Sequence, residues 1–156
     1  MVAAAQAGWT PFGIDLKSAA AGAANRVLKI HDQPGSAVAA NLTALSFPES
    51  HFDLVFSYSV LQHVPRDRAR RCLAEILRVL KPGAFCLIEL RLYPGVTNWR
   101  HGKKDPLDQD SWDVRYYQWA ELRQLFDGFA NFKVRNRLHL ENWREVRRYG
   151  FVALEI

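Results

Sequence analysis

A change of apolar period between residues 51 and 90 constrains this chain more than any other feature. His51 to Ser57 (HFDLVFS) carries Leu54, Val55 and Phe56 in a row, the pattern of a strand covered on both sides. From Asp67 to Leu80 the apolar residues Ala69, Cys72, Leu73, Ile76, Val79 and Leu80 recur at helical spacing, with Arg68, Arg71, Glu75 and Arg78 mostly on the opposite side. Pro65 suits the first turn of that helix. Lys81-Pro82-Gly83 ends it, because proline cannot continue the hydrogen-bond ladder and glycine tolerates the reversal. Ala84 to Leu90 (AFCLIEL) then reads as a second buried strand.

The same alternation extends both ways. The opening MVAAAQAG reads as the tail of a helix, and it lacks the basic start and strongly apolar middle of a secretory signal. Residues 11 to 16 (PFGIDL) form a short strand, Ser18 to about His31 an alanine-rich helix, and Ala37 to Ala40 a brief strand that stops near Asn41. LTALSFPES is a loop. Residues 91 to 116 have no clean period and hold Pro94, Gly95, Gly102 and Pro106 among Trp99, His101, Trp112 and Tyr116. So long a loop is more often a lid or binding element than filler. Tyr117 to Phe126 reads as a helix, and Phe132 to Leu140 and Arg148 to Ile156 as two antiparallel strands joined near Asn142.

Strands alternating with helices, then two terminal strands, argue for an α/β doubly wound sheet, mostly parallel with an antiparallel C-terminal edge, in one domain spanning residues 1–156. Ligands of such sheets bind at the carboxyl ends of the strands. That rule selects Asp15, Asn41, Ser57, Tyr58, Glu89 and Arg91.

Composition excludes several classes. The chain is 49% hydrophobic and 24% charged, and no apolar run approaches the roughly 20 residues that cross a bilayer. The net charge of +5 has its arginines crowded at 66–71 and 135–148. They are interleaved with Asp67, Glu75, Glu141 and Glu145, as on solvated faces, so no nucleic-acid partner is expected. Cys72 and Cys86 fall at apolar positions and read as free thiols, which fits a cytoplasmic protein. No metal is expected.

Three segments together resemble the class I methyltransferases that use S-adenosylmethionine, in particular the type 11 methyltransferase-like domain with its Rossmann-like core. They are GIDLKS at 13–18, ALSFPESHFDLVFSYSVLQHV at 44–64 and EILRVLKPGAFCLIEL at 75–90. The resemblance implies that Asp15 accepts hydrogen bonds from both ribose hydroxyls of S-adenosylmethionine, a role suited to a carboxylate with acceptors only; a strand-end or helix-capping aspartate is the alternative. Asn41 stands where the family usually carries an aspartate that meets the adenine amino group, with the Leu42 amide beside it. Loop capping is the other reading of Asn41. Ser57 and Tyr58 resemble the positions whose backbone faces the methionine end of the cofactor, although Tyr58 can also simply pack. His63 of LQHV has either a structural or a base role, and Glu89, Arg91, Tyr93 and His101 are candidate substrate contacts. No catalytic base is assigned, since displacement at a sulfonium methyl asks chiefly for in-line approach away from water.

The resemblance also implies what is absent. The family's first strand and glycine-rich loop have no counterpart, because Gly8 and Gly13 are isolated. That strand would have paired between the one ending in Asp15 and the one ending in Ser57. Losing it would cost several kcal/mol, against the roughly 5–15 kcal/mol that keeps a domain folded. Three outcomes are open: a truncated gene product, direct pairing of the two neighbours, or a homo- or hetero-oligomer that completes the sheet. The implied function is methyl transfer to a small molecule. The alternatives are a non-catalytic remnant working by association, and a nicotinamide-dependent dehydrogenase, whose glycine fingerprint is also lacking.

Overall fold

The computed structural model describes residues 1–92, 100–101, 114–115, 117, 119–128, 132–142 and 145–155. The chain divides into two compact units, Met1–Ser46 and Phe47–Ile156.

The first unit holds α1 (Val2–Gln6), β1 (Phe12–Asp15), α2 (Ser18–Ile30) and β2 (Ser36–Ala39). The strands run parallel, from Phe12 opposite Ser36 to Asp15 opposite Ala39, and α2 makes the crossover that parallel pairing requires. Ala21 and Leu28 are buried on α2. Asn25, in mid-helix, ties α2 to β2: its Nδ2 donates to the Ala37 carbonyl (2.8 Å) and its Oδ1 accepts from the Ala37 amide (2.6 Å). Gly35 enters β2 at φ +116°, and a Cβ there would overlap the Pro11 carbonyl oxygen, so this position requires glycine.

The second unit contains β3 (Phe52–Ser57), a 3-10 turn at Leu61–His63, α3 (Arg66–Val79), β4 (Leu80–Leu92), β5 (Arg100–His101), β6 (Val114–Arg115), α4 (Trp119–Phe126), β7 (Phe132–Asn142) and β8 (Glu145–Glu155). Its main sheet runs β3-β4-β8-β7. β3 and β4 are parallel, and β8 pairs antiparallel with both β4 and β7, which is the expected antiparallel C-terminal edge. α3 buries Ala69, Cys72, Leu73, Ile76 and Val79, and the alternate β4 residues Cys86, Ile88 and Leu90 are buried as well. Arg70 caps the end of α4, donating to the carbonyls of Gln124 (3.0 Å) and Asp127 (2.6 Å), where a cation also complements the helix dipole. Arg66 pairs with Glu121 at 2.6 Å.

Several boundaries differ from the sequence reading. β4 begins at Leu80 rather than after the Lys-Pro-Gly break, because the ladder tolerates an irregularity between Phe52 and Leu54 and Gly83 takes φ +77°. β7 and β8 run farther toward their turn than the apolar alternation does. Within 91–116, Arg91 and Leu92 belong to β4, and Arg100–His101 pairs with Val114–Arg115; the remainder of that expected lid, with Trp99, Trp112 and Tyr116, lies outside the described residues.

Both cysteines are free and buried. Burial pushes the Cys86 thiol up to about 12 and raises that of Cys72. Since the thiolate is the reactive form, iodoacetamide at about pH 8 should leave both native thiols unmodified while labelling the unfolded chain; rapid alkylation of native Cys86 would contradict this packing. Ile76→Ala should lower stability by about 2–5 kcal/mol, seen as a lower urea midpoint.

Candidate functional site

In the first unit the carboxyl ends of β1 and β2 lie side by side, and the Ala40 amide donates to the Asp15 carbonyl (2.9 Å). The Asp15 carboxylate is exposed. Its Oδ1 accepts from the Lys17 amide (2.8 Å), an Asx-type turn leading into α2, and Oδ2 has no partner among the described residues. One oxygen thus shapes the turn, as the capping reading expects, while the other makes no hydrogen bond among the described residues.

Asn41 is more committed. Its Oδ1 accepts from both the Thr43 amide (3.0 Å) and the Thr43 hydroxyl (2.9 Å), and its carbonyl accepts from the Ala44 amide (3.0 Å), closing a turn across half-buried Leu42. Both lone pairs of the oxygen expected to meet an adenine amino group are thus used in loop capping. What Asn41 retains is its Nδ2 donor, which suits a ring nitrogen instead.

In the second unit the site elements surround the end of β3. Ser57 is buried opposite Ile88 of β4, whereas Tyr58 is 60% exposed and stacks on Phe56 with ring centroids 6.1 Å apart. Ser59 follows at φ +58°. Its amide donates to Glu89 Oε2 (2.7 Å), and its hydroxyl accepts from Gln62 Nε2 (2.6 Å). Gln62 also contacts His63 Nε2 at 3.3 Å; with the amide as donor, the His63 ring carries its proton on Nδ1. It is therefore Nε2 that the neighbouring Gln62 side chain engages. Tyr117 donates its hydroxyl to the Leu61 carbonyl (3.1 Å), fixing the 3-10 turn. Among the described residues, Ser57 Oγ and Gln62 Oε1 are buried without a hydrogen-bond partner, so the polar cluster keeps unused capacity next to the strand end.

Of the residues selected from sequence, Asp15, Asn41 and Leu42 share the first unit, and Ser57 and Tyr58 share the second. Glu89, expected as a substrate contact, is 1% exposed, and its Oε2 accepts from the Ser59 amide. Tyr93 lies outside the described residues, and Arg91 and His101 are described only as strand positions. Sequence reasoning missed Ser59 and Gln62. A serine at positive φ leaves no trace in composition, but Gln62 stood beside the more conspicuous His63 and could have been weighed with it. No group of His, Cys, Asp or Glu among the described residues could hold a metal ion.

In each unit polar groups stand at the carboxyl ends of parallel strands, the exposed Asp15 carboxylate in the first and the Ser57–Ser59 turn in the second, which is where ligands of α/β folds bind. The chain matches the methyltransferase-domain family over residues 1–88 of its 156, and it belongs to that family, whose cofactor is S-adenosylmethionine. No curated protein gives a significant match. A S-adenosylmethionine-dependent methyltransferase from Methanosarcina mazei has a TM-score of 0.76 at 19% identity, covering 99% of this chain and 86% of its own. The 1,6-didemethyltoxoflavin-N1-methyltransferase of Burkholderia thailandensis, solved with 1,6-didemethyltoxoflavin and S-adenosylhomocysteine, has a TM-score of 0.73 at 17% identity, covering 96% of this chain and 63% of its own. TehB from Haemophilus influenzae has a TM-score of 0.69 at 13% identity, covering 97% and 51%. At such identities the likeness shows the fold, that of the S-adenosylmethionine-dependent methyltransferases. The chain spans less than two thirds of the Burkholderia enzyme.

The described residues suit the cofactor's polar portions. A ribose diol can donate to Asp15, and an adenine ring nitrogen can accept from Asn41 Nδ2 or the Leu42 amide, whereas the adenine amino group needs an acceptor other than Asn41 Oδ1, which Thr43 occupies. Asn41→Ala removes two hydrogen bonds to Thr43, each worth about 0.5–1.5 kcal/mol. The Thr43 amide should consequently exchange about ten-fold faster or more in hydrogen-exchange NMR; unchanged exchange would mean that the Asn41 cap does not hold the loop.

Proposed function

We propose that this chain transfers a methyl group from S-adenosylmethionine to a small-molecule acceptor, acting as one methyltransferase-like domain in the cytoplasm. The observation that carries the reading is the exposed Asp15 carboxylate at the carboxyl end of β1, with Oδ2 available beside the turn at Asn41–Ala44. In this reading Asp15 accepts from the ribose hydroxyls, Asn41 and the Leu42 amide meet the adenine, and the backbone of Ser57 and Tyr58 meets the methionine portion. Bound there, the cofactor would supply an electrophilic methyl group to the acceptor's lone pair. The chain's residues need only orient the reactants and exclude water. Family membership and the free, buried thiols support the reading, the latter because reducing compartments preserve them.

A second reading has its own observation. Leu54, Phe56 and Phe85 are 42%, 59% and 53% exposed, and the β3-β4 register sets Leu54 opposite Phe85. Neighbouring apolar side chains in water favour association, so a non-catalytic role through a second chain is the alternative.

Calorimetric titration with S-adenosylhomocysteine separates the two. Methyl transfer predicts saturable binding that Asp15→Ala weakens about ten- to hundred-fold, as expected for loss of hydrogen bonds to a charged acceptor, with no response to NAD. A folded sample that gives no heat with S-adenosylhomocysteine and sediments as an oligomer would favour association instead.

A further inference from the structure

The turn after β3 is held in a conformation its sequence does not favour. Ser59 has φ +58°, a left-handed backbone that a residue with a Cβ adopts only when its surroundings over-determine it. Glycine would take it unaided. Here the surroundings are two buried side chains. Glu89, 1% exposed on β4, accepts from the Ser59 amide at 2.7 Å, and Gln62, fully buried in the 3-10 turn, donates to the Ser59 hydroxyl at 2.6 Å. A polar oxygen inside a protein is costly unless it is hydrogen-bonded, and Glu89 Oε2 meets this by accepting from a backbone amide. Glu89 therefore fixes the direction of one particular peptide group, the one that joins Tyr58 to Ser59.

We propose that Glu89 and Gln62 are positioning residues which hold Ser59 left-handed and so preset the Ser57-Tyr58 backbone for the methionine portion of S-adenosylmethionine. The proposal rests on the methyltransferase reading. It assigns Glu89 a role one step behind the reactants, since its Oε2 is turned onto the protein's own backbone.

The pattern of substitutions distinguishes positioning from general support of the fold. S-adenosylhomocysteine affinity is measured by calorimetry on samples whose circular dichroism and melting show them folded at the working temperature. Glu89→Ala should weaken binding about ten-fold or more, whereas Glu89→Gln, whose side-chain carbonyl can still accept from the Ser59 amide, should stay within about three-fold of wild type. Adding Ser59→Gly to Glu89→Ala should restore the affinity, because glycine needs no partner to keep a positive φ. Should Glu89→Ala not fold, Ser59→Val and Ser59→Gly carry the same test. The β-branched residue resists the left-handed conformation and should lose about ten-fold or more, while glycine should bind within about three-fold of wild type. Affinity in Glu89→Ala equal to wild type, a double variant as weak as Glu89→Ala, or equal affinities in the two Ser59 variants would overturn the proposal. Wild type that binds while the variants are indifferent overturns this proposal alone. Folded wild type that fails to bind S-adenosylhomocysteine overturns the methyltransferase reading and this proposal with it.

Discussion

An amphipathic helix left alone in water would waste its apolar stripe, so α3 has to lie on a sheet. The described residues of the second unit are organised by that requirement. The stripe Ala69, Cys72, Leu73, Ile76 and Val79 is buried together with the alternate β4 residues Cys86, Ile88 and Leu90, and burial of each large side chain contributes about 1.5–3 kcal/mol. Covering β4 in this way fixes its register against β3, since a slip of one residue would send the buried set to the other face. The polar rim follows from that register. Ser57 stands opposite Ile88, so the residues just beyond it, Ser59 and Glu89, come within hydrogen-bonding reach.

Function then depends on groups that sit where the strands stop. Parallel strands end with their carboxyl termini on one side, and the chain must turn there before re-entering a helix. Such turns leave side-chain oxygens and amides unspent by the ladder. Asp15 spends one oxygen on the turn into α2 and keeps the other, while Asn41 spends its only side-chain oxygen on Thr43. At β3 the turn is strained and is held by buried partners rather than by glycine. These are the positions that the proposed methyl-transfer function assigns to the cofactor.

Much of this was legible in the sequence, for identifiable reasons. The β3, α3 and β4 segments announce themselves because consecutive apolar residues and a 3.6-residue period are hard to mistake for one another. Lys81-Pro82-Gly83 misled, because proline and glycine read as a break although a strand irregularity accommodates them. The outer parts of β7 and β8 were underread because the strands continue past the apolar alternation, through residues such as Glu141 and Arg147 that carry no strand signal. Asp15 was found because a carboxylate at a strand end has a recognisable chemistry. The Asn25 clamp on Ala37 and the Glu89 contact with Ser59 span 12 and 30 residues, and no local pattern encodes a partner that far away.

The most direct measurement is a crystal structure of the chain grown with S-adenosylhomocysteine. The account predicts the ribose hydroxyls within hydrogen-bonding distance of Asp15, the purine edge at Asn41 and Leu42, and the homocysteine portion along the Ser57-Tyr58 backbone. Ligand bound elsewhere on the chain, or well-ordered crystals with these positions empty at saturating ligand, would contradict it.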